Sequence, residues 1–331
     1  MIVYETAAGP SVRAGELLLA GRRLAGRLFP YGADAADAAF RFDPAERRFH
    51  FRRLEATVPV GPSDPRPWTE ALSRVPPGPV LVGPCAGAEE VRGAFRAAAD
   101  AALGQGRPVY LLDPEPAGLP ERAGPAAVIL CSWRAGRPEA AFPGLAAARA
   151  AGLRSAALFP YLPGWTGEAA AVEALVAAAA DGGAEAITAL APSADGEGRR
   201  AIVEARSVAE PGQDERFFEL VHHGDWAARL PDSLRRVREA AARRGLASLP
   251  PRPVGAREAA SNAAASARLE ELAELSGAGD HRVALLHAAV RFIDESGRDL
   301  ASVEREGNFG RIFPFGEEIA KEAAAALREA R

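Results

Sequence analysis

A chain of 331 residues that is 48% hydrophobic and 25% charged has a globular composition, with material for one large domain plus an addition or for two domains. Its net charge of -4 leaves no basic excess to offset a phosphate backbone, which argues against nucleic acid as a partner. Lys321 is the only lysine, so chemistry that needs a P-loop or Schiff-base lysine is all but closed to it.

The N-terminus, MIVYETAAGP, lacks the basic start and sustained apolar region of a signal peptide, and no apolar run approaches the length that crosses a bilayer. A cytoplasmic protein without a membrane partner is expected. Residues 1–53 read as a small β-rich element. It holds the short apolar stretches MIVYE and ELLLAGRRLAGRLF, then FRFDPAERRFHFRRL, a hairpin pattern turning at Asp43-Pro44-Ala45-Glu46.

From Leu54 the rhythm changes to alternating strand and helix, which predicts a parallel sheet covered by helices. Strands are expected at 54–60, 79–85, 108–113, 126–132, 154–161 and 185–191, in that order in one sheet. They are continuous apolar runs such as PVLVGPC and AAVILCSW, as strands buried on both faces should be. The intervening AEEVRGAFRAAADAALGQG and EAAAVEALVAAAADGG are helical and end on glycine. The α/β unit spans 54–252. LASLPPRPVGA is a Pro-rich linker, and residues 253–331 read as a helical domain.

Several local stretches resemble radical SAM enzymes. AAFPGLAAARAAGLRSAALFPYLPGWTGEAAAVEALVAAAADGGAEAI places Leu162-Pro163-Gly164 and Thr166 as that family does. GPAAVILCSW is similar to the strand ending in a serine near the SAM ribose, and GQGRPVYLLDPE to the strand ending in a polar pair. The resemblance covers residues 54–250 and implies an α/β fold, a partial (β/α)6 TIM-type barrel with a small N-terminal β element and a C-terminal helical appendage. Its cofactor motif is missing. The family holds a [4Fe–4S] cluster on three cysteines after strand 1, because iron in such a cluster needs thiolate ligands. Here that loop is VGPSDPRPW, without cysteine, and GPCAGAEE stands where the glycine-rich motif for the SAM amino group is expected. No iron–sulfur cluster is therefore expected, and S-adenosylmethionine is not the expected cofactor.

In a parallel barrel, ligands sit at the C-terminal ends of the strands. The candidate ligand-binding residues there are Asp64 and Arg66 in loop 1, Asp113 in loop 3, and Ser132, Trp133 and Arg134 in loop 4. Trp165 in loop 5 and Asp195 in loop 6 complete the set, with Ser63, Cys85, Glu115, Thr166 and Ser193 beside them. Acidic groups, arginines and aromatics together suit a polar small molecule. The competing reading makes Asp64, Asp113 and Asp195 turn or cap residues among Pro and Gly neighbours. Cys85 and Cys131 lie too far apart for a CxxC site and read as buried apolar residues. His222-His223-Gly224-Asp225-Trp226 is a polar cluster, but adjacent helical residues diverge by about 100°, so a helix end is expected rather than a metal site. His281 and His287 read as structural residues of an amphipathic helix. The stretch EREGNFGRIFPFGEE is an anchoring loop or a plug over the barrel mouth, with Ile312, Phe313 and Phe315 packing back on the barrel.

The function expected is that of a cluster-less radical SAM-like protein that binds a small molecule, or an accessory protein that pairs with a true radical SAM enzyme. The alternative is a TIM-barrel enzyme using strand-end carboxylates for acid–base or metal-assisted chemistry.

Overall fold

The computed structural model describes residues 2–3, 11–19, 22–29, 40–43, 48–51, 64–73, 78–83, 89–114, 124–135, 141–190, 196–209, 215–226, 230–256, 259–275 and 281–329. Three strands come first: β1 (Ile2–Val3), β2 (Ser11–Leu19) and β3 (Arg22–Phe29). The aromatic-rich segment that follows forms the antiparallel hairpin β4 (Phe40–Asp43) and β5 (Arg48–Phe51), with Asp43 opposite Arg48.

The repeat then runs α1 (Pro65–Leu72), β6 (Val80–Val82), α2 (Glu89–Gly104), β7 (Val109–Leu112) and β8 (Ala127–Ser132). It continues with α3 (Gly144–Ala150), β9 (Arg154–Pro160), α4 (Ala169–Asp181) and β10 (Ala186–Leu190). Three further helices, α5 (Gly196–Ala209), α6 (Glu215–His223) and α7 (Leu230–Arg243), close this part.

The sheet order is β1-β2-β3-β6-β7-β8-β9-β10. β1, β2 and β3 pair antiparallel, whereas β3 and β6 to β10 run parallel in sequential order. The five strands expected from 79 to 191 therefore hold their places and direction. The first does not. The position beside β6 belongs to β3, paired Gly26 to Val80 and Leu28 to Val82, while residues 54–60 lie outside the described residues. An apolar run marks a strand locally but carries no information on its partner, and the default of pairing with the nearest strand in sequence fails here. Beyond β10 the sheet gains one more parallel bridge, Ala186 to Ala247. Ala247 N–H donates to the Glu185 carbonyl at 3.0 Å, and Ile187 N–H donates to the Ala247 carbonyl at 3.0 Å. Among the described residues the sheet does not close on itself.

Alternate side chains of the parallel strands go to different cores. Val80, Val82, Val109, Leu111, Ile129 and Phe159 share a core with helix residues such as Trp68, Phe95, Val176 and Ile202. Their neighbours Leu81, Tyr110, Leu112, Val128, Leu130 and Leu158 form a separate buried cluster on the other face. Both faces are thus buried, which is why the strands are unbroken apolar runs in the sequence.

The C-terminal part is helical: α8 (Ala260–Leu275), α9 (His281–Glu295), α10 (Leu300–Arg305), α11 (Phe309–Ile312) and α12 (Gly316–Glu329). It has its own core, including Leu269, Leu286, Val290, Phe309, Phe313 and Leu327. The linker before it is fastened to the starts of the strands. Val254 N–H donates to the Pro125 carbonyl at 3.0 Å, and Arg154 donates to the Arg252 carbonyl at 3.2 Å. A Cβ on Gly255 would come within 2.6 Å of the Gly106 carbonyl oxygen, so only glycine fits this close approach. The expectation for Phe313 is corrected accordingly. It stacks on Phe309 at 4.7 Å and meets Phe292 and Phe315 edge-on within the helical core, and Ile312 is 40% exposed. Among the described residues the aromatic cluster finds its apolar partners in its own unit.

Candidate functional site

The strand-end residues gather around the ends of β7 and β8. Asp113 follows β7 directly and has φ +45°, the one non-glycine residue with positive φ among the described residues. A short polar side chain makes this region accessible to aspartate at lower cost than to most residues. Its own N–H still donates to the Leu130 carbonyl at 2.8 Å, while its Oδ1 accepts the Ser132 N–H at 2.6 Å. One residue thus ties the ends of two neighbouring strands through backbone and side chain. Arg134 Nη2 lies 3.9 Å from Asp113 Oδ2, and the two side chains are 19% and 8% exposed.

Trp133 leaves the end of β8 while its N–H donates to the Leu158 carbonyl at 2.8 Å, so the β8–β9 ladder runs on past the strand. Its ring meets Trp165 edge-to-face, centroids 5.1 Å apart, a favoured arrangement for aromatic pairs. Trp165 sits in the turn after β9, whose Gly164 has φ +66°. Thr166 is buried and serves that turn: its hydroxyl donates to the Pro160 carbonyl at 2.5 Å and accepts the Leu162 N–H at 2.8 Å. Arg206 of α5 places its guanidinium 5.2 Å from the Trp165 ring and 5.4 Å from the Phe217 ring, within cation–π range. Sequence reading missed Arg206, because it lies inside a helix and the strand-end rule looks only at loops.

Beneath Asp113 and Arg134 lies Cys131, fully buried. Burial pushes its thiol well above the ordinary value, the negative charge of Asp113 pushes the same way, and Arg134 opposes both. Its thiol group fills the space beside Gly144, where an added Cβ would stand 2.8 Å from Sγ. A thiol so disfavoured as thiolate is a packing group and not a nucleophile.

Asp64 and Arg66 are engaged with each other at the start of α1. Asp64 accepts the Arg66 N–H at 2.9 Å at the start of α1, and the two side chains are 54% and 90% exposed at 4.0 Å separation. That is the cap role the loop chemistry also allowed. Asp195 lies outside the described residues, as do Ser63, Cys85, Glu115 and Ser193. His222 and His223 form the last turn of α6, where the His222 carbonyl accepts from Arg199 and its ring stacks with Phe218 at 4.2 Å. Among the described residues no group of three or more His, Cys, Asp or Glu is placed to hold a metal ion. No described helix is long and apolar enough to cross a membrane.

Chemically, the cluster offers a carboxylate, an arginine, a serine and two indole rings at one end of a parallel sheet, where α/β folds place their ligands. The sequence matches no family model and no curated protein.

Proposed function

We propose that the chain is a cluster-less, radical SAM-like partial TIM-type barrel that binds a small polar molecule at the ends of β7, β8 and β9. Asp113 and Arg134 would meet its charged groups, Ser132 a hydroxyl or carbonyl, and Trp133 and Trp165 its flat or apolar part. The observation that carries this reading is Asp113: a non-glycine residue held at positive φ at a strand end, with its carboxylate aligned by a backbone N–H and an arginine. Such outliers persist where the surroundings over-determine them, and they concentrate at sites. Radical generation is not part of the proposal, since a cluster needs three thiolates and the chain has two cysteines. Acid–base chemistry with paired carboxylates draws no support from Asp64, which caps α1.

The test is a thermal-shift screen of the intact protein against amino acids, nucleosides, nucleotides and S-adenosyl compounds, followed by calorimetry on the hits. Arg134→Ala is expected to weaken a true ligand by more than about 1 kcal/mol, roughly fivefold in Kd. Hits indifferent to both Arg134→Ala and Asp113→Asn would refute the site.

A further inference from the structure

Of the indole rings at the strand ends, one keeps surface for a ligand. Trp133 is 7% exposed, and the remaining two of the chain's four tryptophans, Trp68 and Trp226, are buried in the core. Trp165 is only partly buried. Trp133 therefore orients its neighbour, and Trp165 is the ring that a ligand can reach.

A cation stands beside that ring. The turn carrying Trp165 is packed closely by α6: a Cβ on Gly164 would lie 2.7 Å from a methyl of Leu220 and 3.4 Å from the Phe217 ring. Arg206 enters from α5 and places its guanidinium between the two aromatics, 5.2 Å from the Trp165 centroid and 5.4 Å from that of Phe217. The residue is itself partly buried. An aromatic face is the negative part of the ring's quadrupole, so it holds the guanidinium by attraction. A second cation brought to the same ring meets repulsion from the first at short range, whereas an anion is drawn in. The carboxylate of the cluster is directed elsewhere. Asp113 turns Oδ1 to the Ser132 N–H at 2.6 Å and Oδ2 toward Arg134 at 3.9 Å, so a backbone donor and the other arginine already meet its charge.

We propose that Arg206 sets the charge preference of the strand-end site, and that the ligand there is a planar organic anion, an aromatic or heteroaromatic carboxylate. Its ring lies along the open part of Trp165, with its carboxylate in the field of Arg206. This rests on the strand ends being the binding site, and it gives that site a ligand class and a specificity-determining residue. Arg206 acts through its charge, so lysine should replace it better than glutamine does, a split that a packing role would not produce.

Because Trp165 is the accessible tryptophan of the four, collisional quenching of indole fluorescence reads the charge beside it. At constant low ionic strength, where attraction is least screened, iodide, caesium and acrylamide serve as anionic, cationic and neutral probes of the full chain. Arg206→Gln should lower iodide quenching roughly twofold, raise caesium quenching and leave acrylamide unchanged, while Arg206→Lys stays close to wild type. Calorimetry then compares indole-3-acetate, indole-3-acetamide and tryptamine, which share a ring and differ in charge. The acetate should bind most tightly and tryptamine least. Arg206→Gln should weaken the acetate roughly three- to tenfold and leave the acetamide within about twofold. Thermal melting checks that Arg206→Gln is folded, and Arg206→Met replaces it if it is not. The proposal falls, with the site intact, if tryptamine binds as tightly as the acetate and its binding depends on Arg134. It falls equally if the anion preference, in quenching or in binding, survives in the folded Arg206→Gln variant. No binding by any of the three, or binding indifferent to both Arg134→Ala and Asp113→Asn, refutes the site and the proposal with it.

Discussion

Asp113 combines two demands that different substitutions separate. Its position requires a residue tolerant of φ +45°, and its side chain must accept the Ser132 N–H. Asparagine meets both and loses only the charge facing Arg134, so Asp113→Asn should cost about 1 kcal/mol. Valine meets neither and adds the penalty of a β-branched side chain at positive φ, roughly 1–2 kcal/mol more. Urea midpoints compare the two, and equal losses would mean that the backbone does not demand this conformation. Cys131, one layer down, gives a second check. In a Cys85→Ser background its raised thiol should resist a thiol reagent at pH 8 in the native protein and react fully in denaturant. Asp113 stands out in the sequence because it immediately follows an apolar strand run, and Cys131 because it lies within one. Arg206 does not, since nothing local tells a helical arginine that stacks on Trp165 and Phe217 from one that points into water.

Among the elements, α10 shows how one side chain can set a helix start. Asp299 is its N-cap, accepting from the Ala301 N–H at 3.1 Å and from the hydroxyls of Ser302 at 2.6 Å and Ser261 at 2.9 Å. The Ser302 hydrogen bond first, and that of Ser261 next, hold its carboxyl below the ordinary value. A carboxyl depressed in the folded state stabilises above its unfolded value and ceases to as pH falls through the folded one. Asp299→Ala should therefore lower stability by about 1 kcal/mol at pH 7. The gap to wild type should narrow as pH drops below about 4, the ordinary aspartate range, and melting curves across that range test it. A gap constant with pH would mean the charge contributes nothing. That residues 253–331 are helical was readable in the sequence, but the Asp299 cap was not singled out there. The neighbour of β6 was not readable either, because β3 reaches it across a span that contains the β4–β5 hairpin and α1, and local sequence does not encode so distant a pairing.

For the molecule as a whole, the decisive residue is one that reads as nothing more than part of a proline-rich linker. In the sequence, LASLPPRPVGA stands between strand–helix repeats and a purely helical run. Arg252 within it was not conspicuous, yet it is 4% exposed and bonds Glu270 at 3.1 Å and Asp294 at 2.5 Å. Ser266 adds a hydrogen bond to Asp294 at 2.8 Å. The Arg252 carbonyl accepts from Arg154, which is paired to Glu185 at the start of β10. The linker thus holds the helical unit through one buried guanidinium and the sheet through one backbone carbonyl. Removing the guanidinium strands two carboxylates, Glu270 fully buried and Asp294 8% exposed, and breaking a buried pair in this way costs about 3–5 kcal/mol. Arg252→Ala should accordingly destabilise α8 and α9 selectively, turning unfolding into two steps, with hydrogen exchange rising first in residues 260–295. Because the penalty comes from the stranded charges and not from the lost attraction, Arg252→Met combined with Glu270→Leu and Asp294→Leu should recover much of the loss. If Arg252→Ala alone unfolds in a single step at the wild-type midpoint, the guanidinium is not what joins the two units, and the contacts of Gly255 and Val254 with the strand starts must hold them instead.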